Sequence, residues 1–161
     1  MRDLLFSIAY RMLGSVAEAE DVVQEAYLRR QQAGEVENER AFMTTVVTRL
    51  AIDVLRSARV RREAYPGEWL PEPLVEADAP KAAETEDEVS LAMLVLLERL
   101  SPVERAVFVL RESFDFDFAQ IAAIVDRSED NCRQILSRAR RRVEDGRPRF
   151  DADPKERRAL A

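Results

Sequence analysis

The residues of this chain best equipped for chemistry are arginines, and they fall into two groups. Between residues 49 and 62 there are five, Arg49, Arg56, Arg59, Arg61 and Arg62, with Asp53 as the only acid. Between residues 127 and 149 there are eight arginines and four acids. A guanidinium is a planar fork of donors that matches phosphate and guanine edges, so arginine rather than lysine suits nucleic-acid contacts. In the second group Cys132, Ile135, Leu136 and Ala139 recur at helical spacing. Arg133, Gln134, Ser137, Arg138 and Arg141 then lie on the opposite side. Arg and Gln make bidentate contacts to base edges, and Ser137 is small enough for close approach. Arg140 and Arg142 are placed for phosphates. What is missing narrows the chemistry further. The 161 residues include no His and one Cys, which removes imidazole acid–base catalysis, His-dependent nucleophiles, cysteine-ligated zinc and internal disulfides.

A different chemistry is offered near the start of the chain. Glu20, Asp21, Gln24 and Glu25 form a polar helix face opposite Val22, Val23 and Ala26. Such a face serves as a carboxylate cluster for Mg²⁺, as in all-α phosphohydrolases, as a protein-docking surface, or as plain solvated helix. A metal enzyme wants a second carboxylate helix, and the helix that follows offers only Asp53 within its body. The reading is therefore of a protein without catalysis and without a cofactor. Cys132, at an apolar position, reads as core.

The elements that hold these residues are helical. Only 4 Gly and 7 Pro are present in a chain that is 47% hydrophobic and 35% charged. Leu4, Leu5, Ile8, Ala9, Met12 and Leu13 define a first helix, stopped by Gly14. Ser15 and Glu18 form an S-x-x-E start for a second, with Val22, Val23, Ala26 and Tyr27 as its buried stripe. A polar loop over residues 31–38 precedes a third helix capped by Asn38. Its core positions are Phe42, Val46, Val47, Leu50, Ala51, Val54 and Leu55, and it ends before Pro66. Residues 66–90 then carry eight acids, one Lys and several prolines, with Trp69 between Pro71 and the helix as a docking aromatic. Helical pattern resumes near Glu86 and runs to Leu100. Ser101-Pro102-Val103-Glu104 starts another helix, with Val103, Ala106, Val107 and Leu110 inside. Asp117 and Gln120 start a short helix that ends at Val125. Asp126, Arg127 and Ser128 make the turn into the arginine-rich helix, whose inner face also includes Val143. Short helix, three-residue turn and longer helix predict a helix-turn-helix. Asp126 stands where that turn favours glycine, and Asp tolerates positive φ better than most residues. Glu129 and Asp130 complement the dipole of the last helix.

Two stretches carry a resemblance. "AYRMLGSVAEAEDVVQEAYLR" with "ERAFMTTVVTRLAIDVLRSARVRRE" resembles region 2 of bacterial extracytoplasmic-function (ECF) sigma factors. "LERLSPVERAVFVLRESFDFDFAQIAAIVDRSEDNCRQILSRARRRV" resembles their region 4. "YPGEWLPEPL" is similar to the SigJ-type subgroup, whose members carry an NTF2-like (SnoaL-like) domain after region 4. The resemblance implies an all-α architecture of two small helical domains, a region 2 bundle and a region 4 helix-turn-helix, joined by an acidic, Pro-containing linker. It implies docking of Asp21, Gln24 and Glu25 on the β′ clamp helices of core RNA polymerase. It implies promoter −10 contacts by Arg49, Arg56, Arg59, Arg61 and Arg62, and −35 readout by Arg133, Gln134, Ser137, Arg138 and Arg141. Arg49 falls where many members have Asn, and Asp53 matches a structural position.

The expected boundaries are 1–65 for region 2, 66–85 for the linker, 86–145 for region 4 and 146–161 for a tail. That tail leads toward the NTF2-like domain, which the 161 residues are expected to lack. Expected partners are core RNA polymerase, promoter DNA, and an anti-sigma factor or the NTF2-like domain; Trp69 is read as a linker anchor for that domain or for region 2. A cytoplasmic protein without membrane or cofactor is expected. The alternative function is a stand-alone helix-turn-helix regulator, which needs neither the acidic helix nor the linker.

Overall fold

The computed structural model describes residues 1–64 and 97–146, with side chains up to Arg59 in the first segment. Trp69, the linker, the helix onset near Glu86, the tail beyond residue 146 and the Arg61 and Arg62 side chains lie outside the described residues. The described elements are α1 (Arg2–Leu13), α2 (Val16–Gln32), α3 (Glu39–Ala64), α4 (Pro102–Phe108), a π-helical turn (Val109–Ser113), α5 (Phe118–Val125) and α6 (Glu129–Gly146). Among the described residues there is no strand.

Helices α1–α3 pack on one another as a bundle. Gly14 ends α1 in the left-handed region at φ 72°, and its N–H donates to the Tyr10 carbonyl at 2.7 Å. Ser15 caps α2 by accepting from the Glu18 N–H at 3.2 Å. The Asn38 side chain caps α3, accepting from Ala41 N–H at 3.0 Å. Arg30 holds the intervening loop by bonding the Gly34 carbonyl and pairing with Glu39.

In the second unit both predicted capping boxes form: Ser101 with Glu104, and Asp117 with Gln120. Helix α5 has the expected bounds, and Asp126 takes the left-handed turn position at φ 57°, ψ 53°. Helix α6 buries Cys132, Ile135, Leu136, Ala139 and Val143 against α4 and α5. Each large aliphatic side chain there contributes about 1.5–3 kcal/mol. Beyond the sequence reading, α4 runs into a π-helical turn. The chain then reverses through Asp115 at φ 54°, with Phe116 N–H bonding the Leu110 carbonyl. Arg105, which the periodicity left aside, is 2% exposed and faces Glu98 at 3.8 Å.

The two units are not separate. One buried cluster runs through both, and α3 joins them. Met43, Val47 and Ala51 form one buried stripe of α3. Thr44, Thr48, Ile52 and Leu55 form a second, on the side where Thr44, Leu55 and Arg59 meet the second unit. This is why Phe42, Val46, Leu50 and Val54, predicted as core, are only partly buried: a helix flanked on two sides distributes burial over more than one stripe.

Two predictions follow from burial. Among the described residues the Thr48 hydroxyl is buried without a hydrogen-bond partner. Thr48→Val keeps the shape and removes that cost, so urea unfolding should show a gain of about 1 kcal/mol. Burial pushes the Cys132 thiol up, with Glu129 adding to the rise and Arg127 and Arg133 opposing it. The thiol therefore stays protonated at neutral pH, and iodoacetamide should modify it at pH 8 only once the chain is unfolded.

Candidate nucleic-acid and protein interfaces

The arginine-rich helix α6 has one buried and one exposed face. Arg133, Gln134, Ser137, Arg138 and Arg141 are all exposed on α6, opposite its buried stripe. Arg133 is held at its base. Its guanidinium pairs with Asp130 at 2.9 Å and Glu129 at 3.6 Å, and stacks over the Phe118 ring at 5.0 Å. Arg111 covers the same ring at 4.9 Å. Glu129 and Asp130 therefore orient an arginine as well as complementing the helix dipole. At half exposure these pairs are worth little in stability and act mainly on rotamer choice. Arg140 and Arg142, expected at phosphates, are tied to their own domain: Arg140 pairs with Glu112, and Arg142 with the buried Glu104.

The first arginine group is divided. Arg56 and Arg59 are exposed on α3. Arg49 faces the second unit, and its Nε donates to the Ile124 carbonyl at 2.9 Å and an Nη to the Ala123 carbonyl at 3.3 Å. These are end carbonyls of α5, where a cation meets unsatisfied acceptors and the negative end of the dipole. Arg11 on α1 adds a second link, lying over the Phe114 ring at 5.8 Å.

The acidic face of α2 is open. Glu20, Asp21, Gln24 and Glu25 are exposed; Glu25 pairs with Arg29 and Glu20 with Arg2. Sequence reasoning missed Leu28. It follows Asp21, Gln24 and Glu25 at i+7, i+4 and i+3, and remains 49% exposed. A large aliphatic residue left in water amid acids suits a protein contact better than a metal site. The signal was present in the sequence as one apolar residue on the polar side of the helix. Among the described residues no group of three or more potential metal ligands converges, and no helix is long and apolar enough to cross a membrane.

Comparison with known proteins places this geometry. Residues 1–61 match sigma-70 region 2, and residues 90–143 match sigma-70 region 4. A region 2 bundle followed by a region 4 helix-turn-helix defines a protein of the sigma-70 class. The chain is 48% identical over 148 residues to the ECF RNA polymerase sigma factor SigJ of Mycobacterium tuberculosis, covering 89% of this chain and 47% of SigJ. With SigL of the same species it shares 33% identity over 143 residues, 83% of this chain and 76% of the relative. The chain belongs to the ECF RNA polymerase sigma factor family. Its fold is similar to the crystal structure of M. tuberculosis SigJ, with a TM-score of 0.68 and 42% identity over 90% of this chain and 51% of that one. It is also similar in fold to RpoE of Bartonella quintana, solved with the anti-sigma factor NepR, with a TM-score of 0.64 at 18% identity over 89% of each chain. The chain spans about half the length of SigJ and 57% of the related SigI.

Arg49 supplies a test of how the two units are joined. A cation at a helix C-terminus contributes about 0.3–1 kcal/mol, so Arg49→Ala should shift the ensemble toward separated units. Small-angle scattering should show a larger radius of gyration with helicity retained. An unchanged radius would mean that the apolar contacts of α3 suffice.

Proposed function

We propose that the chain acts as a bacterial RNA polymerase sigma factor, directing promoter-specific initiation without catalysis of its own, in the cytoplasm where the polymerase works. The observation that carries this reading is the presence, in one chain, of an open acidic face on α2 with Leu28 at its centre and a solvent-facing arginine helix, α6. Asp21, Gln24, Glu25 and Leu28 meet the β′ clamp helices of core polymerase: the acids steer toward a basic surface and Leu28 provides the apolar contact. Arg133, Gln134, Ser137, Arg138 and Arg141 read the −35 major groove. Arg56 and Arg59, with Arg61 and Arg62, hold the opened −10 element, where unstacked single-stranded bases need cationic support; Arg49, engaged on the α5 carbonyls, joins them only once the two units separate. The working boundaries are 1–65, 66–85, 86–145 and 146–161. An anti-sigma factor is a further partner, supported by the likeness in fold to RpoE, solved with NepR.

The net charge of −6 fits this division of labour. Long-range repulsion keeps the free protein off duplex DNA, and most promoter affinity comes from assembly with polymerase. The test is a pull-down with core RNA polymerase, followed by transcription from a cognate promoter. The parent should bind. Asp21→Arg with Glu25→Arg should abolish binding, and Leu28→Ala should weaken it by about tenfold, the size of one well-buried apolar contact. Failure of the folded parent to bind core polymerase would overturn the reading.

A further inference from the structure

The two arginine groups, far apart in sequence, meet in one cleft. It has a volume of about 630 Å³ and is lined by Arg56 and Arg59 of α3, Arg127 of the helix-turn-helix turn, and Arg138 and Arg142 of α6. Among the described residues Glu104 is the only carboxylate in its wall, and it is already engaged by Arg142 and by the Ser101 N–H. Among the described residues, none of Arg56, Arg59, Arg127 and Arg138 takes part in an ion pair. Cations drawn from three elements into one concave space repel one another, and a bound anion reverses the sign of that interaction.

The size and the walls define the anion. The volume is that of a small-molecule site, too small to admit a nucleic-acid duplex. Cations supplied by separate elements call for an anion with several charged groups rather than one. A chain of phosphates supplies them, and guanidinium forks bind phosphate oxygens bidentately. The promoter is not the ligand of this cleft. Elements centred about 25 base pairs apart are separated by roughly 85 Å of duplex, whereas here the arginines assigned to the two elements line the same space.

We propose that this cleft binds a polyphosphate, the chemistry shared by nucleoside 5′-triphosphates and inorganic polyphosphate. The bound anion bridges α3 and α6 and holds the two units together. It also occupies Arg56, Arg59 and Arg138, so it competes with promoter contacts. Binding by the free chain stands apart from the polymerase reading; only the competition with promoter contacts rests on it.

The test is isothermal titration of the full chain with sodium tripolyphosphate, free of divalent metal, with GTP and ATP as parallel arms. Saturable one-to-one binding is expected, together with a smaller radius of gyration in the bound state. Arg59→Ser on one wall and Arg138→Ser on the other should each weaken tripolyphosphate by about tenfold, the loss of one charge-assisted contact. Both residues are exposed, and the variants are to be checked for retained helicity by circular dichroism before titration. Arg29→Ser removes the same charge away from the cleft and should change affinity by less than about twofold. Tighter binding of GTP or ATP than of tripolyphosphate supports a nucleotide; equal or weaker binding supports inorganic polyphosphate. Absence of saturable binding overturns the proposal. So does an equal loss in all three variants, which marks diffuse attraction, or no loss at either wall.

Discussion

A helix of 26 residues with apolar side chains on more than one face needs more than one partner, and α3 has two. Its Met43–Val47–Ala51 stripe and its Thr44–Thr48–Ile52–Leu55 stripe are both buried. Because α1 and α2 cover only part of its circumference, the rest must be taken from water by something else. Here that is the second unit, through α4 and α5. The position of the helix-turn-helix, the engagement of Arg49 with the α5 carbonyls and the arginine cleft all follow from this packing. An α3 with a single apolar stripe would leave the two units without their shared apolar contact, tied by the Arg49 and Arg11 links and by the connecting chain.

The strength of that junction is modest by construction. Among the described residues its polar links include an arginine on two helix-end carbonyls and an arginine over a phenylalanine ring. Such contacts are each worth about 1 kcal/mol or less when partly exposed. The stripe itself contains two threonines, and the Thr48 hydroxyl is buried at a cost. An interface with polar groups in its centre is less stable than an apolar one of equal area, so the units separate more readily. A partner that prefers the separated form needs only a differential affinity of a few kcal/mol to make it dominant. For a protein proposed to read two distant DNA elements, a shallow junction is a functional requirement.

The sequence disclosed most where structure is set locally. Ser101, Pro102 and Glu104 start α4, Asp117 and Gln120 start α5, and Asp126 takes the left-handed turn, because a cap or a positive φ depends on residues within one helical turn. The exposed set on α6 was legible for the same reason: its buried stripe is regular. What was hidden depends on contacts between distant segments. Arg140 and Arg142 look like their neighbours, yet each is paired with an acid 28 or 38 residues earlier. Arg49 belongs by sequence to a row of DNA-facing arginines and by structure to the end of α5. Arg105 follows a capping box as any surface arginine does, and only the packing buries it. The π-helical turn likewise depends on how the chain after α4 reverses into α5.

These displaced arginines separate two uses of one residue type. Guanidinium groups tied to acids of other elements or to helix-end carbonyls organise the protein, and those left unpaired, or paired only within their own helix as Arg133 is, are available to phosphate. On α6 the division alternates along the helix. Arg140 and Arg142 bind Glu112 and Glu104, while Arg138 and Arg141 face outward. The acids that tie down the first pair also lower the positive charge beside the second, so the exposed face of α6 is a patterned one. Such a surface gains less from nonspecific attraction to phosphate and depends more on where each fork points. The chain's overall negative charge acts in the same direction: it opposes long-range attraction to phosphate, and under the proposed function whatever fixes the distance between α3 and α6 decides which sequence is read.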